Sequence, residues 1–486
     1  MPAASRTVPV RVRTAAAPRS TSQQQPSPGV SAFALLAGIA LLGNGLKSIV
    51  SSSVLVSEAQ FAALLGISTV HVALLLESII AGMVVALATC PLLLQRLTAR
   101  ALGIVACVAA TVAFATFAFV DLSDSAAWVR ELSAFGCFAI GAGALALLAP
   151  AAQVLVALAP TPAMRTTLTS MWTGAAPAGF LVAPQLVKVM LPVMGIGFYF
   201  LGFSALPLVM LALLGLLGFA LPAVRHAGVA VSALPRRMLL AFVATVIAFE
   251  VWTTSGSVGS YVAPATLLGL AAFAATGLDL AREVKRYTFP PELTGVTGGL
   301  LLALFVLQFP TTGFFDTAFL AQHQFAQAFI ADRATLAAAA QILGTLAAGV
   351  LVHRRPAAQH ALLLGFAVIA LAGLGAIAAY PWITHPLYYL WTPAVEGFGA
   401  AGVTVLVCLA VVRDACRYPL LAALPSIAIM LGTEFGLELL QLVFALTGTA
   451  GVGADGAYGA VFFAQVAFAL AVPVLIVLAN RRGVRQ

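Results

Sequence analysis

The chain has 486 residues, 62% of them hydrophobic, and carries 24 + 16 = 40 charged residues, or 8%. A soluble domain carries roughly 25% charged residues, so a water-soluble globule of this size is excluded; a disordered chain is excluded too, because disorder needs low hydrophobicity. Five scattered cysteines (Cys90, Cys107, Cys137, Cys408, Cys416) form no CxxC pair, which argues against a disulfide scaffold and a zinc site. What fits is an all-α integral membrane protein, with lipid covering most of its surface.

Residues 1–29 hold Arg6, Arg11, Arg13 and Arg19 among Ser, Gln and Pro, with no acid. No apolar stretch lies near the start, so this segment reads as a disordered basic cytoplasmic tail rather than a signal peptide. About 20 apolar residues cross a bilayer. Fourteen such segments follow, at 30–52, 68–92, 101–120, 132–158, 167–187, 196–222, 238–253, 262–281, 294–313, 334–352, 361–380, 387–412, 419–446 and 457–480. The polar breaks between them alternate in charge. With the tail in the cytoplasm, only Lys47, Arg130, Lys188 and Arg333 of the 24 basic residues fall outside, leaving 20 on the cytoplasmic side. That bias follows the positive-inside rule. It predicts about fourteen crossings of the cell inner (plasma) membrane, with both termini cytoplasmic. Anionic lipid then accounts for the formal charge of +8, and no nucleic-acid partner is needed. The loops are too short for a soluble catalytic domain, so function must lie among the helices.

Three short echoes suggest an internal repeat. Pro91 is followed by Gln95 and Arg96, and Gly349 by His353 and Arg354; Arg96 to Arg354 is an offset of 354 − 96 = 258. Gly141-Ala-Gly143 is matched by Gly397-Phe-Gly399, an offset of 256, and Gln60-Phe61-Ala62 by Gln324-Phe325-Ala326, an offset of 264. The predicted organisation is a six-helix bundle at 30–222, a linker with an inserted helix pair at 223–293, a second six-helix bundle at 294–480, and a cytoplasmic tail at 481–486.

This pattern resembles the fourteen-helix branch of the major facilitator superfamily, the drug:proton antiporters. That family carries approximately G-x-L-x-D-R-x-G-R-[KR] in the loop after the second span. Here Arg96 and Arg100 match it, while Pro91 stands for the Gly and Gln95 for the Asp. In span 4, Gly141 and Gly143 are present, with Cys137 where the family has Arg. The span 5 motif survives as Gly174-Ala-Ala-Pro177-Ala-Gly179, and Asn44 is the polar group nearest the family's acid in span 1. The resemblance implies a cytoplasmic gate loop at Arg96 and Arg100, repeated at Arg354 and Arg355. It also implies a cavity lined by spans 1, 4, 9 and 12. Asn44, Lys47, Gln308 and Glu396 would lie in or near that cavity, with Phe314, Phe315 and Trp391 as an apolar wall.

Charge inside a bilayer costs about 2.5–3.5 kcal/mol per residue on insertion scales, so each case needs a reason. Lys47 in span 1 and Glu77 in span 2 fall at similar depth, where an ion pair would fit. Glu396 lies in span 12, and Glu434 and Glu438 lie one turn apart in span 13. No Lys or Arg is expected in the interior of the C-terminal unit to neutralise them. Glu77, Glu396, Glu434 and Glu438 are therefore the candidates for proton coupling. Glu250 in the inserted pair reads as structural or near-surface. Asp316 and His323 read as solvated loop residues. Trp382 and Tyr388 read as part of an interfacial belt.

The sequence contains no GxxxxGK[ST], HExxH or GxSxG motif. No catalytic residue, cofactor or metal is predicted. The expected activity is secondary transport, with efflux of a small apolar or cationic compound driven by protons. An importer or exchanger of small organic anions, anchored on Lys47, is the alternative; a membrane-embedded enzyme or sensor is a remote one. Expected partners are the substrate, protons and membrane lipid, and a periplasmic adaptor protein is compatible with efflux.

Overall fold

In a bilayer every backbone amide needs an internal partner, which leaves the helix as the element for these apolar segments. The computed structural model describes residues 30–56, 69–119, 127–221, 235–258, 263–287, 295–310, 314–383, 385–414, 419–449 and 453–484. The basic tail at 1–29 and the Gln60–Ala62 echo lie outside these residues. So do the side chains of His71, Lys188, Phe314 and Arg413.

The first half contains α1 (Val30–Val56), α2 (Thr69–Leu94), α3 (Ala99–Phe119), α4 (Ala127–Ala157) and α5 (Pro162–Ala220). Thr161 caps α5 by accepting a hydrogen bond from the Met164 amide, and Pro162 occupies its first turn, where no backbone donor is needed. The 59 residues of α5 are two arms meeting at Gly195, whose φ of 68° and ψ of 176° suit only glycine. The arms correspond to the fifth and sixth predicted segments. Next come α6 (Arg236–Val258) and α7 (Pro264–Arg286), then α8 (Val296–Leu307) and α9 (Phe314–Gln322). The predicted ninth segment is thus broken: a turn at residues 308–310 ends α8, and a separate short helix follows. The chain continues through α10 (Gln327–Arg354), α11 (Gln359–Ala378), α12 (Pro386–Asp414), α13 (Pro419–Thr449) and α14 (Ala454–Val484). Eleven of the described helices are long and apolar enough to cross a membrane.

A Schellman motif closes the turn between α9 and α10. The Phe325 amide bonds to the Leu320 carbonyl and the Gln324 amide to the Ala321 carbonyl. Gln324 sits there at φ 59°, where glycine is usual.

The packing repeats. In the first half α4 packs on α2, α3 and α1, and α5 packs on α1 and α3. In the second half α12 packs on α10, α11 and α8, and α14 packs on α8 and α11. Gly82 of α2 lies against the backbone of Ala139 on α4, and Gly344 of α10 against the backbone of Phe398 on α12. Glycine permits that approach because no Cβ intervenes. The halves meet where α2 and α4 touch α13, and where α5 touches α10 and α12. Helix α6 packs on α2; α7 packs mainly on α6 and exposes Leu267, Leu268 and Leu278.

Candidate functional site

The chief candidate forms where α2, α6 and α13 meet. Glu250 of α6 is buried, and the carboxylates acting on it electrostatically are Glu438 of α13 and Glu77 of α2. Glu434 is buried and is acted on by Glu250, Glu438 and Glu77. The helical spacing already put Glu434 and Glu438 on one face. The fold adds Glu77 from the other half and Glu250 from the inserted pair, and it buries Glu250, which corrects the near-surface reading of that residue. The Oε1 atom of Glu250 is buried with no hydrogen-bond partner among the described residues. Among the described residues no basic side chain acts on Glu250 or Glu434. Beside the cluster, Phe249 stacks on Phe435 at 4.0 Å between ring centroids, which holds α6 against α13.

The Lys47–Glu77 ion pair is not formed. Helix α1 packs chiefly on α5 and α4, while α2 packs on α4 and α6, so equal depth does not bring the two side chains together. Lys47 is buried, and among the described residues no acid acts on it electrostatically. Asn44 donates to the Trp172 carbonyl at 2.8 Å, and Trp172 Nε1 to the Ala149 carbonyl at 3.0 Å. Asn44 is thereby engaged in joining α1 to α5 and α4.

A second charged group lies in the other half. Arg333 of α10 is paired with Asp316 of α9, both nearly fully buried. Arg333 also donates through Nε to the Tyr389 carbonyl at 3.1 Å and through a terminal nitrogen to the Tyr380 hydroxyl at 3.3 Å. The Tyr380 hydroxyl also shares a hydrogen bond with the Thr392 hydroxyl. This corrects two expectations. Asp316 is not a solvated loop residue, and the interior of the C-terminal half does hold a base, which acts on Glu396. His323 is exposed, as read, with its ring 3.5 Å from Asp455.

The remaining predicted residues are dispersed. Phe315 is buried in an aromatic cluster beside Phe444. Trp391 is exposed and lines a groove of about 560 Å³ between α11 and α12 with Tyr388 and Val395. Gln308 ends α8 against Gly432 of α13. Arg100 donates to the Leu214 carbonyl at 2.9 Å and ties α3 to α5, whereas Arg96, Arg354 and Arg355 are exposed. Trp382 is exposed, and Tyr388 donates to the Ala376 carbonyl. Among the described residues no group of three or more His, Cys, Asp or Glu could hold a metal ion.

At the end that carries the α2–α3 and α10–α11 loops, the halves are joined by polar contacts the sequence did not reveal. Ser426 of α13 donates to Gln153 of α4 at 3.2 Å, and Cys408 of α12 contacts Thr173 of α5 and Gln153.

The path of the chain is similar to that of a bacterial homologue of the iron transporter ferroportin in its outward-facing state. That match has a TM-score of 0.64 and 13% identity, over 93% of this chain and 100% of that one. The human organic anion transporter MFSD10 (TETRAN) gives 0.62 and 16%, over 91% and 99%. The major facilitator proton:xylose symporter XylE gives 0.57 and 16%, over 90% and 94%. The chain has the major facilitator fold. Identity this low establishes the fold alone, and neither a family model nor a curated protein matches the sequence. Within the facilitator fold, the paired contacts α2–α13 and α5–α10 are the seams between the halves, and the four glutamates lie at the first of them.

Proposed function

We propose that the chain is a secondary active transporter that exchanges protons for a small apolar or cationic compound by alternating access. The observation that carries this reading is the cluster of Glu77, Glu250, Glu434 and Glu438 at the seam between the halves. Crowded carboxylates, of which Glu250 and Glu434 are buried, hold protons in common and exchange them when the surroundings change. Rocking of the halves changes those surroundings, because Glu77 belongs to one half and Glu434 and Glu438 to the other. Under the positive-inside rule the basic loops face the cytoplasm, with about fourteen crossings of the cell membrane. The Gln153–Ser426 and Cys408–Thr173 contacts then close the cytoplasmic side. Such a state receives protons from outside and suits efflux.

The test is reconstitution in liposomes with an internal pH dye and a panel of candidate substrates. Substrate-dependent proton movement that is lost in Glu434→Gln and Glu438→Gln, with folding intact, supports the reading. Proton flux unchanged in both variants reduces the cluster to a structural role.

A second reading has its own observation. Lys47 is buried with no acid acting on it among the described residues, which suits an organic-anion substrate. Lys47→Ala separates the two, because an anion carrier loses substrate binding and a cation exporter keeps it.

A further inference from the structure

Glu396 is buried on α12, one helical turn beyond Thr392 and so on the face that meets the Arg333 network. Its Oε1 atom is buried with no hydrogen-bond partner among the described residues. Gly373 of α11 packs directly on the Glu396 backbone, leaving no room for a covering side chain. Asp316 and Arg333 act on Glu396 electrostatically. On the other elements packed against α12, Glu434 and Glu438 of α13 belong to the four-glutamate cluster, α5 carries Arg165 and Lys188, α8 carries no titratable residue, and α11 carries His360 in its first turn and sets Gly373 against Glu396. Tyr380, from the turn after α11, is occupied by Arg333 and Thr392. One guanidinium therefore acts on two buried carboxylates and is bonded to one of them.

We propose that Glu396 is a proton-binding site separate from the four-glutamate cluster, and that its charge sets how firmly Arg333 holds Asp316. A protonated Glu396 makes no claim on the guanidinium, and Arg333 stays on Asp316. An ionised Glu396 draws Arg333 toward itself, because a buried carboxylate without a donor is costly and a charged hydrogen bond relieves that cost. Asp316 is the charged residue that fastens the nine-residue helix α9 to α10. Ionisation of Glu396 thus loosens α9. The proton is exchanged with water.

The test is hydrogen exchange of the α9 amides in the full-length protein in detergent, at pH 5 and pH 8, corrected for intrinsic chemical exchange. It needs neither substrate nor gradient, so it stands apart from the transport assay. The wild type should exchange roughly five- to tenfold faster in α9 at pH 8, a change of about 1–1.4 kcal/mol in the hold on that helix. Glu396→Gln should exchange like the wild type at pH 5 under both conditions. Glu396→Asp should keep the pH dependence, and Glu434→Gln should not alter it. A wild-type α9 with equal protection at both pH values overturns the proposal, and this measurement needs no variant to fold. So does a folded Glu396→Gln protein that keeps the full pH dependence.

Discussion

Ser426 on α13 donates a hydrogen bond to the side-chain oxygen of Gln153 on α4, 3.2 Å away, and so links the two halves of the molecule directly. Both residues are buried, and Cys408 lies against the same glutamine. A hydrogen bond of this kind is worth about 1 kcal/mol net. Gln153→Ala or Ser426→Ala should therefore favour opening at this end by roughly fivefold. A chain keeping Cys408 as its only cysteine should then react with a membrane-permeant maleimide about fivefold faster than its parent. An unchanged rate would mean that the contact does not close the seam.

Glu250 provides a test in which stability and activity move in opposite directions. Removing one carboxylate from four relieves repulsion that the fold has to absorb. Glu250→Gln should raise the unfolding midpoint, by about 1 kcal/mol in stability, and should lower proton-coupled flux several-fold. Loss of stability instead would mark Glu250 as a packing group.

Gln324 holds a left-handed conformation that costs a non-glycine residue about 1 kcal/mol. Gln324→Gly relieves that strain but adds freedom to the unfolded chain. The net expectation is a stabilisation of about 0.5 kcal/mol, read as a small rise in the thermal midpoint. A fall would show that the Gln324 side chain contributes more than its backbone costs.

Gly82 and Gly344 face backbone atoms of Ala139 and Phe398, so a methyl at either position cannot be accommodated by a side-chain rotation. Gly82→Ala and Gly344→Ala should each destabilise by about 2–3 kcal/mol, in the range seen for overpacking. Comparable losses in the two variants would show that the repeated packing is energetically equivalent as well as geometrically so. A negligible loss in either would show that the helices can part at that point.

The helical segments were legible because each needs only a run of apolar residues, and α2, α4, α10 and α12 follow the predicted positions closely. Azimuth was not. Lys47 and Glu77 share a depth, but α1 turns toward α5 and α2 toward α6, and nothing in either segment announces its neighbour. Glu250 was misplaced for the same reason, since its burial depends on α6 docking beside α2 and α13. Asp316 and Arg333 looked like loop residues because Gln322, His323 and Gln324 interrupt the apolar pattern between them. The fold turns there through a Schellman motif and buries both charges against each other. Only Glu434 and Glu438, four residues apart on one helix, could be paired without the fold.

The glycine contacts also bear on how such a molecule can move. Where α2 meets α4 and α10 meets α12, main chain rests on main chain, with no side-chain padding to compress. The seam between α5 and α10 is different. A methyl built on Gly174 would meet Thr345 Cγ2 at 3.6 Å, an ordinary contact, and Gly349 faces a serine side chain that can rotate. Stiffness is thus concentrated inside each half and compliance between them.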